Sequence, residues 1–88
     1  MGSYSIVFKP SVEKDLRSLP KEVVARVLAR IENLQNEPLP RQAIKLSGAE
    51  RLYRIRIGEY RVIYEIDADA MTIVVHYVRH RREAYRRL

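Results

Sequence analysis

Three arginines, Arg54, Arg56 and Arg61, flank the dipeptide Gly58-Glu59. A Gly-X pair suits a type II′ hairpin, because glycine tolerates the left-handed backbone needed at the first central position. With that pair as the whole turn, Ile57 faces Tyr60, Arg56 faces Arg61, Ile55 faces Val62, Arg54 faces Ile63 and Tyr53 faces Tyr64. One face then carries Tyr53, Ile55, Ile57, Tyr60, Val62 and Tyr64, and the other carries all three arginines. Like charges set directly opposite destabilise a ladder by up to about 1 kcal/mol. Two readings account for such a cluster. Glu65 lies on the same face and partly neutralises it, or the cluster is built to meet phosphate, which the guanidinium fork grips well.

The C-terminal stretch adds Arg79, His80, Arg81, Arg82, Arg86 and Arg87, with Tyr85 among them. Cations that meet phosphate, interleaved with a ring that stacks on a base, form an RNA-binding pattern. A solvated charged end is the alternative. Other chemistry finds little support. There is no Walker-type loop and no G-x-G-x-x-G. His76 and His80 have i, i+4 spacing, but His76 lies in a strand-like run without an acid or Cys cluster, so neither a metal site nor a cofactor is expected. The chain has no Cys, and its serines lie far in sequence from both histidines, which gives no nucleophilic triad.

The elements that must position these residues follow from periodicity. Residues 4–8 alternate as a short strand. Ser11 is the expected N-cap of a helix over 11–19, which stops before Pro20. A second helix runs over 21–36, with Val23, Val24, Val27, Leu28, Ile31 and Leu34 as its apolar stripe. Pro38 and Pro40 close the helical part, and residues 37–50 read as a connector. Strands follow over 52–57, 60–66 and 71–78, the last two joined by a turn at 67–70. The expectation is a single α+β domain, 1–88, in β-α-α-β-β-β order. A helical hairpin packs on one face of a mostly antiparallel four-stranded sheet, on the side of Ile55, Val62 and Tyr64, and a short basic tail or helix follows.

Totals fit this outline. The chain has 88 residues, 47% of them hydrophobic, a formal charge of +6 and a pI near 10. The charge is lopsided: residues 1–40 hold six Lys/Arg against five acids, and residues 41–88 hold eleven against six, ten of the eleven being Arg. That asymmetry favours a polyanionic partner. No run is long enough to span a membrane and no signal peptide is evident, so a cytoplasmic location is expected.

The stretch Tyr53-Arg54-Ile55-Arg56-Ile57-Gly58-Glu59-Tyr60-Arg61-Val62-Ile63-Tyr64, followed by His80-Arg81-Arg82-Glu83-Ala84-Tyr85, resembles the core of the RelE/ParE toxin superfamily, and its RelE-type branch in particular. Residues 8–20 also resemble that family's first strand and helix, so the likeness covers nearly the whole chain. The resemblance implies the toxin of a type II toxin–antitoxin pair, an mRNA interferase that enters the ribosomal A site and cuts the messenger. The implied chemistry is metal-independent attack of a ribose 2′-oxygen on the adjacent phosphate. It also implies a cognate acidic antitoxin as partner and operator DNA reached only through that antitoxin.

Carried over residue by residue, the family's cations match Arg54, Arg56, Arg61 and Arg81, and its C-terminal tyrosine matches Tyr85. Arg61 and Arg81 would stabilise charge on phosphorus, and Arg54 and Arg56 would steady the RNA backbone. Arg79, Arg82 and Arg86 would add RNA contacts. Tyr85 would stack on a base or move a proton, and His80 is a reserve acid or base, or simply a surface imidazole. Two departures stand out. Some relatives have Lys at the places of Arg54 and Arg56, and Arg cannot lose its proton; if such a Lys is the base there, the role here falls to Tyr85, His80 or Glu59, or is weak. Arg79 stands where Gly is common. The rival readings are a ParE-like gyrase inhibitor and a non-catalytic relative that only binds antitoxin and operator.

Overall fold

The computed structural model describes residues 3–46, 48 and 51–84, with backbone only for 83 and 84. The order is β1 (Ser5–Phe8), α1 (Pro10–Arg17), α2 (Lys21–Asn33), β2 (Ile44–Lys45), β3 (Leu52–Ile57), β4 (Tyr60–Asp67), β5 (Thr72–His80) and α3 (Arg81–Ala84). The sheet therefore has five strands, in the order β1-β5-β4-β3-β2, where four were expected. The extra strand comes from the connector: Ile44 and Lys45 pair antiparallel with Arg54 and Tyr53. Only the β1–β5 pair is parallel, so the sheet is mixed but mostly antiparallel.

Both helices differ at their ends from the sequence expectation. Pro10 occupies the first turn of α1, where its missing N–H costs nothing, and Lys9 is the N-cap. Ser11 is thus not the cap; its hydroxyl donates to the His76 carbonyl at 2.8 Å. The helix α2 ends at Asn33, with Leu34 as its C-cap, rather than at 36.

The core forms where the helices cover one sheet face. Val12 of α1, Val27 and Ile31 of α2, and Leu34 meet Ile55, Ile57, Val62, Tyr64, Ile73, Val75 and Val78. This is the face expected from the hairpin alternation. Tyr64 is fully buried, and its hydroxyl donates to the Pro38 carbonyl at 2.7 Å. Burial, helped by nearby Tyr53, pushes that hydroxyl above its ordinary pKa, so it stays a neutral donor. The bond ties the connector to the sheet.

β5 is central only in part. β1 covers it from Thr72 to Val75, after which the chain turns into α1. Side chains of α1 then close the open edge: Ser11 binds the His76 carbonyl, and Asp15 Oδ2 accepts from the Val78 N–H at 3.0 Å. Those bonds satisfy backbone groups that a longer β1 would otherwise take.

Tyr64→Phe removes the hydroxyl and strands the Pro38 carbonyl. It should lower stability by about 1–2 kcal/mol with the fold retained. Thermal unfolding checks this, and an unchanged midpoint would show that the bond contributes nothing.

Candidate nucleic-acid interface

Gly58 sits at φ +59°, while Glu59 is not among the residues of positive φ, as a type II′ turn requires. The pairing counted from that turn holds across the hairpin: Ile57 with Tyr60, Arg56 with Arg61, Ile55 with Val62, Arg54 with Ile63, and Tyr53 with Tyr64. Arg54, Arg56 and Arg61 therefore share the face away from the helices. Arg54 is half-buried and Arg56 is exposed.

A β-bulge adds a fourth arginine. Ile63 pairs with Tyr77 but Tyr64 pairs with Val75, so His76 is an extra residue on β5. Without it, Arg79 would share a face with Val75 and lie under the helices. With it, Val78 enters the core and Arg79 stands opposite Arg61. One row across three strands thus reads Arg56, Arg61, Arg79.

The members of the row are held differently. Arg61 is only 7% exposed, and its Nη1 donates to the carbonyls of Gly58 (3.1 Å) and Tyr60 (3.0 Å). Its Nε is buried and has no hydrogen-bond partner among the described residues. Arg79 pairs with Asp15 through Nε at 3.4 Å and lies over the Tyr77 ring at 4.7 Å. The Tyr77 hydroxyl is raised in pKa, first by burial and then by Asp15, with Arg79 opposing. Arg79, unexplained in sequence, is therefore a bridge from β5 to α1.

Arg81 reaches back to the turn. Its Nε lies 3.1 Å from Glu59 Oε1, and its N–H donates to the Glu59 carbonyl at 2.7 Å. Among the described residues, Arg56 and Arg61 have no carboxylate partner, so no ion pair offsets their charge. Arg82 is exposed, and its N–H donates to His80 Nδ1 at 3.3 Å.

The structure separates His80 from the row. His80 pairs with Tyr60 and meets its ring edge-on at 5.5 Å, on the side of the sheet away from Arg61. Both line a cleft of about 660 Å³ beside α1, with Lys14, Asp15 and Arg79. Glu65, the suggested neutraliser of the arginines, holds His76 Nε2 at 3.0 Å. Asp15 and the Glu65–His76 pair escaped sequence reasoning, since neither contact follows from spacing. Tyr85 and Arg86 lie outside the described residues. No group of three potential metal ligands occurs among the described residues.

Comparison with known proteins gives the lineage. The family model described as the ParE toxin of the type II toxin–antitoxin system parDE matches residues 6–85. Toxin RelE3 of Methanocaldococcus jannaschii is 33% identical over 84 residues, which is 91% of this chain and 93% of the relative. A chain of the archaeal RelE–RelB complex from Pyrococcus horikoshii OT3 is 37% identical and superposes with a TM-score of 0.81, covering 93% of this chain and 99% of that one. A chain of the RelBE2 toxin–antitoxin complex from Mycobacterium tuberculosis is 31% identical with a TM-score of 0.79, covering 89% and 98%. The hairpin, the helical cover and these relatives agree: the chain belongs to the RelE/ParE toxin family of type II toxin–antitoxin systems.

Proposed function

We propose that this protein is a ribosome-dependent messenger endoribonuclease that acts in the cytoplasm without a metal. The observation that carries the reading is the row Arg56–Arg61–Arg79 with Arg81 held against the adjoining turn. The reaction is attack of a ribose 2′-oxygen on the adjacent phosphate. Charge grows on the phosphoryl oxygens in its transition state. Arg61, fixed in advance by two carbonyls, stabilises that charge without reorganising. Arg81 supplies a second guanidinium. Arg54 and Arg56 steady the RNA around the cut, Arg79, Arg82 and Arg86 extend the contact, and Tyr85 stacks on a base or moves a proton.

Arginine holds phosphate but does not accept a proton at neutral pH. The rate must therefore come largely from placing the 2′-oxygen in line with phosphorus, and correct orientation supplies up to about 7–11 kcal/mol. A domain this small has little surface with which to bend a free strand. A ribosome with an empty A site already holds the messenger in a defined path.

The partner in the cell is a cognate acidic antitoxin, with operator DNA reached only through it. The solved relatives from P. horikoshii and M. tuberculosis were crystallised as complexes with their antitoxins, and the net charge of +6 suits an acidic chain. A second reading, inhibition of DNA gyrase, has one observation in its favour: the matching family model is described as a ParE toxin.

Four measurements test these readings. One messenger, free and in a programmed ribosome with an empty A site, should be cut well only on the ribosome; equal rates would defeat the proposed dependence. Arg61→Ala and Arg81→Ala should each lose on the order of 100-fold or more in cleavage, and wild-type rates in either variant would remove that residue from the mechanism. Antitoxin affinity should fall as salt rises, while loss of supercoiling activity by gyrase in the presence of the protein would favour the second reading.

A further inference from the structure

The turn that builds the hairpin also gathers the two arginines assigned to phosphate. All three carbonyls of Gly58, Glu59 and Tyr60 are used in this way. Those of Gly58 and Tyr60 accept from Arg61 Nη1, and that of Glu59 accepts from the Arg81 N–H. Glu59 adds its carboxylate, 3.1 Å from Arg81 Nε and 59% exposed. A carboxylate thus stands in reach of solvent, in contact with one of the guanidinium groups meant for the scissile phosphate and on the turn residue between the two whose carbonyls hold the other.

We propose that Glu59 is the general base of this site, the group that takes the proton from the attacking 2′-hydroxyl. The assignment rests on the ribonuclease reading above and supplies the base that its arginines lack. A phosphate oxygen held by another N–H of Arg81 would lie on the order of 5 Å from the Glu59 carboxylate, since each charge-assisted bond spans about 2.8 Å. That leaves room for a 2′-hydroxyl between carboxylate and phosphorus.

The other candidates are less well placed. His80 packs against Tyr60 on the side of the sheet away from Arg61. His76 shares the outer face but is held by Glu65, beyond the Ile63–Tyr77 pair, while the Arg61 guanidinium points to the turn at the opposite end.

In the step itself, the 2′-O–H bond breaks and its proton passes to the Glu59 carboxylate. The 2′-oxygen forms a bond to phosphorus as the bond from phosphorus to the 5′-oxygen breaks. The leaving oxygen takes a proton from water and ends as a 5′-hydroxyl, and the other fragment ends in a 2′,3′-cyclic phosphate. Glu59 returns its proton to solvent. Arg81 orients the carboxylate before substrate arrives and shares itself with phosphate afterwards.

The test compares wild type, Glu59→Gln and Glu59→Asp in single-turnover cleavage on programmed ribosomes. Occupancy of ribosomes carrying a messenger with a 2′-deoxy residue at the cut site is measured in parallel. Gln keeps the size and hydrogen-bonding reach of the side chain but cannot take the proton. The expected result is a loss of about 100-fold or more in the cleavage rate for Glu59→Gln, with unchanged occupancy and partial recovery in Glu59→Asp. Equal or faster cleavage by Glu59→Gln, with wild type active, would reduce Glu59 to a counter-ion of Arg81 and overturn the assignment alone. A wild type that cuts nothing on the ribosome would overturn the ribonuclease reading and the assignment together.

Discussion

A left-handed backbone at Gly58 closes β3 onto β4 in two residues, and the pairing of both strands is counted from it. Side chains alternate with a period of two, so a slip of one residue would send Ile55 and Val62 to solvent and the arginines beneath the helices. Glycine is required here on the ground of φ, and a Cβ would also come within 3.2 Å of the Arg26 guanidinium. The same turn offers its carbonyls to Arg61 and Arg81, so register and charge placement have one origin.

The remaining charge is arranged around β5. Its bulge puts Arg79 beside Arg61, which would be repulsive if nothing answered it. Asp15 answers it from α1, and the same carboxylate caps the Val78 N–H at the open edge of the strand. One side chain therefore satisfies a backbone donor and offsets a charge. Arg56 and Arg61, paired next to the turn on the outer face, have no carboxylate partner among the described residues. Repulsion between them persists in the free protein, and a bound anion would relieve it.

What could be read from sequence follows from where the pattern is strict. The β3–β4 register was legible residue by residue, because Gly58-Glu59 sits between two alternating runs. The core face was legible for the same reason. The bulge was not: residues 71–78 are largely β-branched and apolar, so an inserted residue breaks no visible alternation, and the row of three arginines stayed hidden with it. The two-residue strand Ile44–Lys45 is too short to carry a period. Ser11 carries the chemistry of a cap, yet Pro10 takes the first turn and leaves that hydroxyl for β5, a contact 65 residues away that no local rule gives. Asp15 and Arg79 likewise meet only because α1 lies along β5.

The parallel pairing of β1 with β5 joins residues 5–8 to residues 72–75, nearly the whole described chain apart. On a translating ribosome the first strand emerges early and has no partner until the last one follows, because long-range pairing cannot precede the residues that make it. The helices appear in between, with the sheet face they cover still incomplete. β5 also brings Arg79 and leads directly into Arg81. Shape and charge arrangement are completed by the same strand and the residues just after it, and a nascent chain halted before Thr72 has neither.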